Sequence, residues 1–242
     1  MKKNLKILFV VPAYNEELNI AKVISEIKKD FKKADILVIN DASKDNTVGV
    51  LDKLNIKTIN MPFNVGYAMA VKAGFKYAVH NQYDYVIQFD GDGQHIAKEA
   101  NKLIDKAVKE NLDIVIGSRF LKANDYNHLF FRRMGTKLFE ILIKLVTNDH
   151  ITDPTSGFQC LNSKVIQRYS KIGNYPEFPD ANLIIEMILL GYKIGEVPVE
   201  MRQREFGESM HGGIIKPIKY MIKMTYSILM IVITNIKFRG VK

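Results

Sequence analysis

The sequence predicts an α/β protein built on a doubly wound, mostly parallel sheet flanked by helices. Three observations predict it. Short apolar runs rich in β-branched residues alternate with segments of helical periodicity through about residue 120. Those runs are continuous rather than alternating, as expected of strands buried on both faces. The conspicuous polar residues Asn15, Asp41, Asp90, Asp92 and Arg119 all fall just after predicted strands, where open α/β sheets bind ligands.

Residues 7–11 form the first run, stopped by Pro12. Asn15 is placed to cap the next helix, with Glu16 and Glu17 in its first turn and Ile20, Val23, Ile24, Ile27 and Phe31 at helical spacing. Residues 36–39 are a second strand ending at Asn40-Asp41, and Ser43 and Asp45 open another helix. Residues 56–59 are a third strand, followed by the turn Asn64-Val-Gly66 and a helix carrying Ala70, Val71, Phe75 and Ala78. Residues 85–89 run as a fourth strand into Asp90; a helix over 98–109 and a strand over 114–116 follow. Beyond residue 120 the pattern changes to an amphipathic helix over 130–146, a helix over 180–191, a short strand over 197–201 and an apolar stretch over 214–238. That stretch is punctuated by Lys216, Lys219 and Lys223. No repeat or low-complexity linker divides the chain, so it reads as one domain over 1–212 with a basic, apolar helical extension over 213–242.

The 242 residues are 47% hydrophobic and 25% charged, which excludes a disordered chain. A net charge of +9 points to an anionic partner (nucleic acid, a phosphate-bearing substrate or an anionic membrane), with a solvated lysine surface explaining part of it. The lone Cys160 excludes an internal disulfide framework, fits a reducing compartment and reads as buried filler. The N-terminal apolar run is too short for a secretory signal, so a cytosolic location is expected.

The segment Asp90-Gly-Asp-Gly-Gln-His95 carries the chemistry. Two carboxylates two residues apart form either a turn with exposed acids or, as the strand-end position favours, a site for a hard divalent cation, Mg²⁺ or Mn²⁺, which shares its shell with substrate phosphates. Gly91 and Gly93 would let a diphosphate approach the backbone. Asp41 either accepts hydrogen bonds from a nucleoside or caps the next helix, and Tyr14 either stacks on a base or packs. Arg119, Arg202 and Arg204 have the fork that suits phosphate. No Gly-x-Gly-x-x-Gly, Walker-type loop or Cys/His cluster is present, which excludes a dinucleotide fold of that type, a P-loop and a zinc site.

Together these segments resemble the family 2 glycosyltransferases of the GT-A fold, in the branch of dolichol-phosphate mannose synthase and polyprenyl-phosphate sugar transferases. The similarity rests on Val11-Pro-Ala-Tyr-Asn-Glu16, Asn40-Asp-Ala-Ser-Lys-Asp-Asn-Thr47, Asn64-Val-Gly66, Asp90-Gly-Asp-Gly-Gln-His95, Gly117-Ser-Arg-Phe120, Asp153-Pro-Thr-Ser-Gly-Phe158 and Arg204-Glu-Phe-Gly-Glu-Ser209, in the family's order. The resemblance implies that Pro12, Tyr14, Glu16 and Asp41 hold the nucleoside of a UDP- or GDP-sugar. It implies that Asp90, Asp92 and Gln94 bind the metal, and that Arg119 and Arg204 contact phosphate. Asp92 would then be catalytic through the metal, and Asp180 the catalytic base for a hydroxyl acceptor, with Glu177 its rival or a helix cap its plainer role. The chain departs from the pattern at Asn40, where an acid is usual, and at Met210-His211, where a lysine often stands. His211 either replaces that contact, ligates the metal or is a surface histidine.

The implied reaction inverts configuration and passes a sugar to a lipid-linked saccharide or polyprenyl phosphate in envelope polysaccharide or glycolipid synthesis. An uncharged run of 13 residues from Met224 to Ile236 is too short to span a bilayer. With its flanking lysines it suits a helix lying on an anionic inner membrane face, or else one that packs on the domain or forms a homodimer. The remaining alternatives are a nucleotidyltransferase on a similar scaffold and a non-catalytic anion-binding module; nucleic acid is not an expected partner.

Overall fold

This computed structural model describes residues 5–121, 130–171, 173–206 and 215–239. The strands are β1 (Ile7–Ala13), β2 (Asp35–Asn40), β3 (Thr58–Asn60), β4 (Tyr85–Gln88), β5 (Ile114–Ser118), β6 (Gln159–Asn162) and β7 (Ile194–Pro198). The helices are α1 (Ile20–Asp30), α2 (Thr47–Lys53), α3 (Tyr67–His80), α4 (Ala100–Glu110), α5 (Phe130–Thr147), α6 (Ser163–Ser170), α7 (Ala181–Leu189) and α8 (Ile215–Arg239). The strands form one sheet in the order β3-β2-β1-β4-β6-β5-β7. All pairings are parallel except those of β6, which runs antiparallel between β4 and β5.

Alternate side chains of β1 enter opposite layers: Leu8 and Val10 on one face, Phe9, Val11 and Ala13 on the other. The first layer is covered by α3, α6, α7, part of α5 and the Met224–Ile228 face of α8; the second by α1, α2 and α4. Burial on both faces is why these strands read as unbroken apolar runs. Helix α3 lies directly on β1: a Cβ on Gly74 would come 2.3 Å from Val10 Cγ1.

Several expectations shift. β1 does not stop at Pro12 but runs to Ala13. Pro12 is opposite Ile39 of β2, whereas pairing with β4 ends at Val10, so its missing N–H lies where only one neighbour remains. Asn15 does not cap α1. It has φ 56°, its side chain accepts from Lys44 N at 2.7 Å, and the helix starts five residues later without acids in its first turn. Likewise α2 begins at Thr47, with Asp45 accepting from Thr47 N at 3.0 Å. β7 lies three residues before the expected strand, and β6 and α6 had no counterpart. Helix α5 appears as expected, and Cys160 is buried in β6. Met210 and His211 lie outside the described residues. Among the described residues no helix is long and apolar enough to cross a membrane.

Candidate active site

The carboxyl ends of β1, β2 and β4 bring three loops together. The loops after β1 and β2 are zipped by reciprocal bonds: Glu16 N donates to Thr47 Oγ1 at 2.9 Å, and Asn46 N donates to Glu17 at 2.8 Å. Asp41 lies between them and does not cap α2. Its carboxylate accepts from Val65 N at 2.7 Å and Gly66 N at 2.9 Å, pinning the Asn64-Val-Gly66 turn ahead of α3. Tyr14 is 40% exposed on the loop rim. The Pro12 carbonyl packs against Gly91, where a Cβ would meet it at 2.9 Å. Gly91 is therefore required by this close approach, while Gly93, with φ +78° and open space before it, is the glycine that faces outward.

Asp90 leaves β4 half-buried and held on two sides. Tyr67, the first residue of α3, donates its hydroxyl to Asp90 Oδ1 at 2.7 Å and accepts from Gln88 Nε2 at 2.9 Å. Sequence gave no signal for Tyr67; an aromatic opening a helix reads as packing. His95, quoted above only as part of the motif, accepts the Asp90 backbone N–H on Nδ1 at 3.1 Å and stacks on Phe158 at 4.7 Å. Burial pushes the imidazole down to about 4, so it is neutral at physiological pH. Burial raises the Asp90 carboxyl above its ordinary value; it raises Asp92 too, reinforced by the Asp90 charge. Glu16, nearby, is also raised by burial, offset by Asn19 and Arg204.

Arg204 meets Glu16 at 2.6 Å and reaches to 3.9 Å from Asp92 Oδ2. Arg202 is directed away, paired with Glu26 of α1 at 2.8 Å. Arg119 is largely committed as well: Nε and Nη2 donate to the fully buried Asp153 carboxylate at 2.7 Å each, and Nη2 to Thr155 at 3.0 Å. The loop that supplies Asp153 is in turn fixed by Glu196 of β7, which accepts from Thr152 N and Asp153 N.

A cavity of about 710 Å³ opens beside Asp90. It extends from Gly66 and Tyr67 past Gly157 to Phe178, Asp180 and Tyr220. Asp180 precedes α7 but its side chain does not cap that helix. It accepts instead from the Tyr220 hydroxyl at 2.6 Å, and burial pushes its carboxyl up to about 6. Glu177 is exposed at the mouth, paired with Lys223 at 3.2 Å.

Among the described residues no group of three or more His, Cys, Asp and Glu side chains could hold a metal ion. The donor set nevertheless suits Mg²⁺ or Mn²⁺, which often take one or two carboxylates and complete their shell with phosphate and water. Asp90 and Asp92 are raised carboxylates gathered at one strand end, an excess of negative charge only partly met by Arg204. Gln94 directs its amide nitrogen to the Arg202 carbonyl at 3.4 Å, which spends a donor and not its side-chain oxygen.

The model of the glycosyl transferase family 2 matches residues 8–170, which contain this whole strand-end cluster except Arg204. The chain belongs to glycosyl transferase family 2. The family member is 26% identical over 215 residues to the polyprenol monophosphomannose synthase of Mycolicibacterium smegmatis, covering 85% of this chain and 81% of that one. It is 31% identical over 218 residues to the dolichol-phosphate mannosyltransferase of Pyrococcus furiosus, covering 85% of this chain and 59% of the relative. Its fold superposes on the mannosyltransferase PcManGT from Pyrobaculum calidifontis, solved with GDP-Man and Mn²⁺, with a TM-score of 0.65 at 15% identity. That match covers 92% of this chain and 64% of the other. The mixed, mostly parallel sheet is the GT-A architecture, and the protein is a glycosyltransferase.

Proposed function

We propose that this glycosyltransferase moves a sugar, with inversion and with a divalent cation, from a UDP- or GDP-sugar to a lipid-linked acceptor, either polyprenyl phosphate or a lipid-linked saccharide. The observation that carries the reading is the Asp90–Asp92 pair at the end of β4, opening onto a cavity with Asp180 on its far wall. The names of the two relatives support a polyprenyl-type acceptor, and the Mn²⁺ and GDP-Man of the structural neighbour support the donor and cofactor classes.

The nucleoside lies against the loop after β1, with Tyr14 exposed on its rim and buried Pro12, Glu16 and Asp41 shaping the floor and the loops beneath it. Asp90, Asp92 and Gln94 would hold Mg²⁺ or Mn²⁺, which supplies charge neutralisation for the leaving diphosphate. Arg204 exchanges its ion pair with Glu16 for the donor diphosphate, and Arg119 offers phosphate the guanidinium nitrogen not spent on Asp153 and Thr155. The acceptor enters the cavity opposite the leaving group. A hydroxyl acceptor gives its proton to Asp180, whose carboxyl, pushed up to about 6, titrates close enough to neutrality to serve as a general base. A phosphate acceptor is already ionised and leaves Asp180 a binding role.

Helices α5 and α8 expose Leu138, Ile141 and Leu145, and Ile222, Tyr226 and Leu229. That apolar surface, on a chain of net charge +9, supports a position on an anionic membrane, at its cytoplasmic face. The test is incubation with nucleotide sugars and Mn²⁺ in the presence of polyprenyl phosphate or saccharide acceptors. Donor-dependent thermal stabilisation, lost in Asp92→Ala, runs in parallel. Normal donor binding with transfer to no acceptor sinks the proposal. An active Asp92→Ala enzyme sinks the metal assignment.

A further inference from the structure

We propose that α8 is a wall of the acceptor site rather than an appended tail, and that Tyr220 is a positioning residue that aims the Asp180 carboxylate into the cavity. The proposal rests on reading that cavity as the acceptor site.

Asp180 occupies the N-cap position of α7, where an aspartate ordinarily turns its carboxylate back onto the first free N–H groups. Here only its backbone joins the cap: its carbonyl accepts from Leu183 N and Ile184 N at 3.0 and 3.1 Å. Its own N–H donates to the Asn182 side chain at 3.1 Å. The side chain makes no cap bond. The carboxylate is turned instead toward α8, where Oδ2 takes the Tyr220 hydroxyl at 2.6 Å.

The hydroxyl's position is set by three elements. The Tyr220 ring packs edge-on against Phe139 of α5 at 6.0 Å and against Phe178 at 5.5 Å. Helix α8 is fixed one and two turns further on by buried Met224 and Ile228, and Ser227 accepts from Asn182 Nδ2 at 2.9 Å. Residues 220, 224, 227 and 228 thus form its inner face, with Lys223 at the cavity mouth, 5.1 Å over the Phe178 ring. Ile222, Tyr226 and Leu229 form its outer, exposed face. The charged and titratable groups facing Asp180 are Tyr220 from α8, Arg119 after β5, and Asp153 and Tyr175 from the segments between α5 and α7. Tyr220 and Arg119 favour the ionised carboxyl and Asp153 opposes it. Of the two groups that favour it, Arg119 is already bound to Asp153, which leaves Tyr220 as the direct partner of the carboxylate.

The test compares Tyr220→Phe, which removes one oxygen and keeps the ring packing, with Ser227→Ala, which removes another α8 hydrogen bond and reaches Asp180 only at its backbone N–H, through Asn182, and not at its carboxylate. The Asp180 carboxyl is titrated by ¹³C NMR, and steady-state rates are measured with nucleotide sugar, Mn²⁺ and either acceptor type. In Tyr220→Phe the carboxyl titrates about one pH unit higher, as expected for losing a charge-assisted hydrogen bond. Acceptor kcat/KM falls about tenfold while donor KM stays within about twofold. Ser227→Ala changes neither. A Tyr220→Phe protein with wild-type titration and kinetics overturns the proposal. So does an equal kinetic loss in Ser227→Ala, which reduces Tyr220 to an anchor. If the wild-type protein binds donor but uses no acceptor, the acceptor reading falls, and the proposal with it. That failure is recognisable because the carboxyl titration still responds to Tyr220→Phe.

Discussion

Replacing Gly157 by alanine drives a methyl group into the support of Asp90. Its Cβ would lie 2.9 Å from Tyr67 Oη, 3.3 Å from Asp90 Oδ2 and 3.6 Å from Gln88 Nε2. Gly157 is not in the left-handed region, so the effect is steric rather than conformational. The phenol oxygen cannot yield freely, because it is held between Asp90 at 2.7 Å and Gln88 at 2.9 Å. Overpacking of this kind costs about 1–3 kcal/mol, so Gly157→Ala is expected to lose about 2 kcal/mol. Tyr67→Phe removes the obstructing oxygen but leaves a half-buried carboxylate and the Gln88 amide short of a partner, at about 1–3 kcal/mol. In the double variant the methyl group occupies the space the hydroxyl left. Its loss should fall short of the sum of the two by about 1 kcal/mol or more. Urea unfolding of the wild type, both single variants and the double variant, in metal- and nucleotide-free buffer, measures the four stabilities. Additivity within about 0.5 kcal/mol would show that the methyl group and the hydroxyl do not compete, and the argument for Tyr67 as the support of Asp90 would fail.

Asp153→Asn preserves shape but leaves the Arg119 guanidinium without its bidentate counter-charge; a loss of about 3–5 kcal/mol is expected by chemical denaturation, and less than about 1 kcal/mol would contradict a structural ion pair. The Asp180 carboxyl is raised from 3.8 to about 6, so the folded state holds this proton more tightly than the unfolded state does. Its contribution to stability is therefore full below about pH 4 and is lost as pH rises to about 6. Asp180→Asn should remove that slope from a plot of urea midpoint against pH, and parallel curves for the two proteins would contradict it. On the outer face of α8, a double Ile222→Glu, Leu229→Glu variant should sediment less with anionic vesicles while keeping wild-type thermal stability; unchanged vesicle binding would remove the membrane role of that face.

The fold was legible where burial leaves a local trace. β1, β2, β4 and β5 lie in the sheet interior and are covered on both faces, and each announces itself as an apolar run. β6 leaves no such trace. It is four residues, Gln-Cys-Leu-Asn, of which Gln159 and Asn162 are polar, and it is a strand only because β4 and β5 supply ladders on both sides. β7 carries Gly195 and Glu196 at the sheet edge, so its apolar signal begins only at Val197 and runs past its end to Val199. The start of α1 was misread for a different reason. Asn15 and Glu17 have the composition of a helix start, but their hydrogen bonds go to residues 28–29 positions away in the β2–α2 loop.

The same limit applies to the site, and it separates acids that look alike in the sequence. Asp41, Asp90, Asp92, Asp153 and Asp180 are all loop aspartates near strand or helix ends. Asp41 spends both oxygens on the Val65 and Gly66 amides, and Asp153 spends both on Arg119; these two build the loops. Asp90, Asp92 and Asp180 are different. Among the described residues each has one oxygen engaged at hydrogen-bonding distance, by Tyr67, by the Gln94 amide and by Tyr220 respectively. Among the described residues, the other oxygen has its ionic contact with His95 at 3.7 Å for Asp90 and with Arg204 at 3.9 Å for Asp92. All three carboxyls are raised, with burial the leading cause. In the proposed reading, the second oxygen of such a buried acid is the one that would meet a cation or a proton from outside the chain. The partners that distinguish the two classes are 23 to 40 residues away, apart from the local Gln94 amide, so strand-end position points to Asp41, Asp90 and Asp92, the family resemblance adds Asp180, and only the folded chain divides the five.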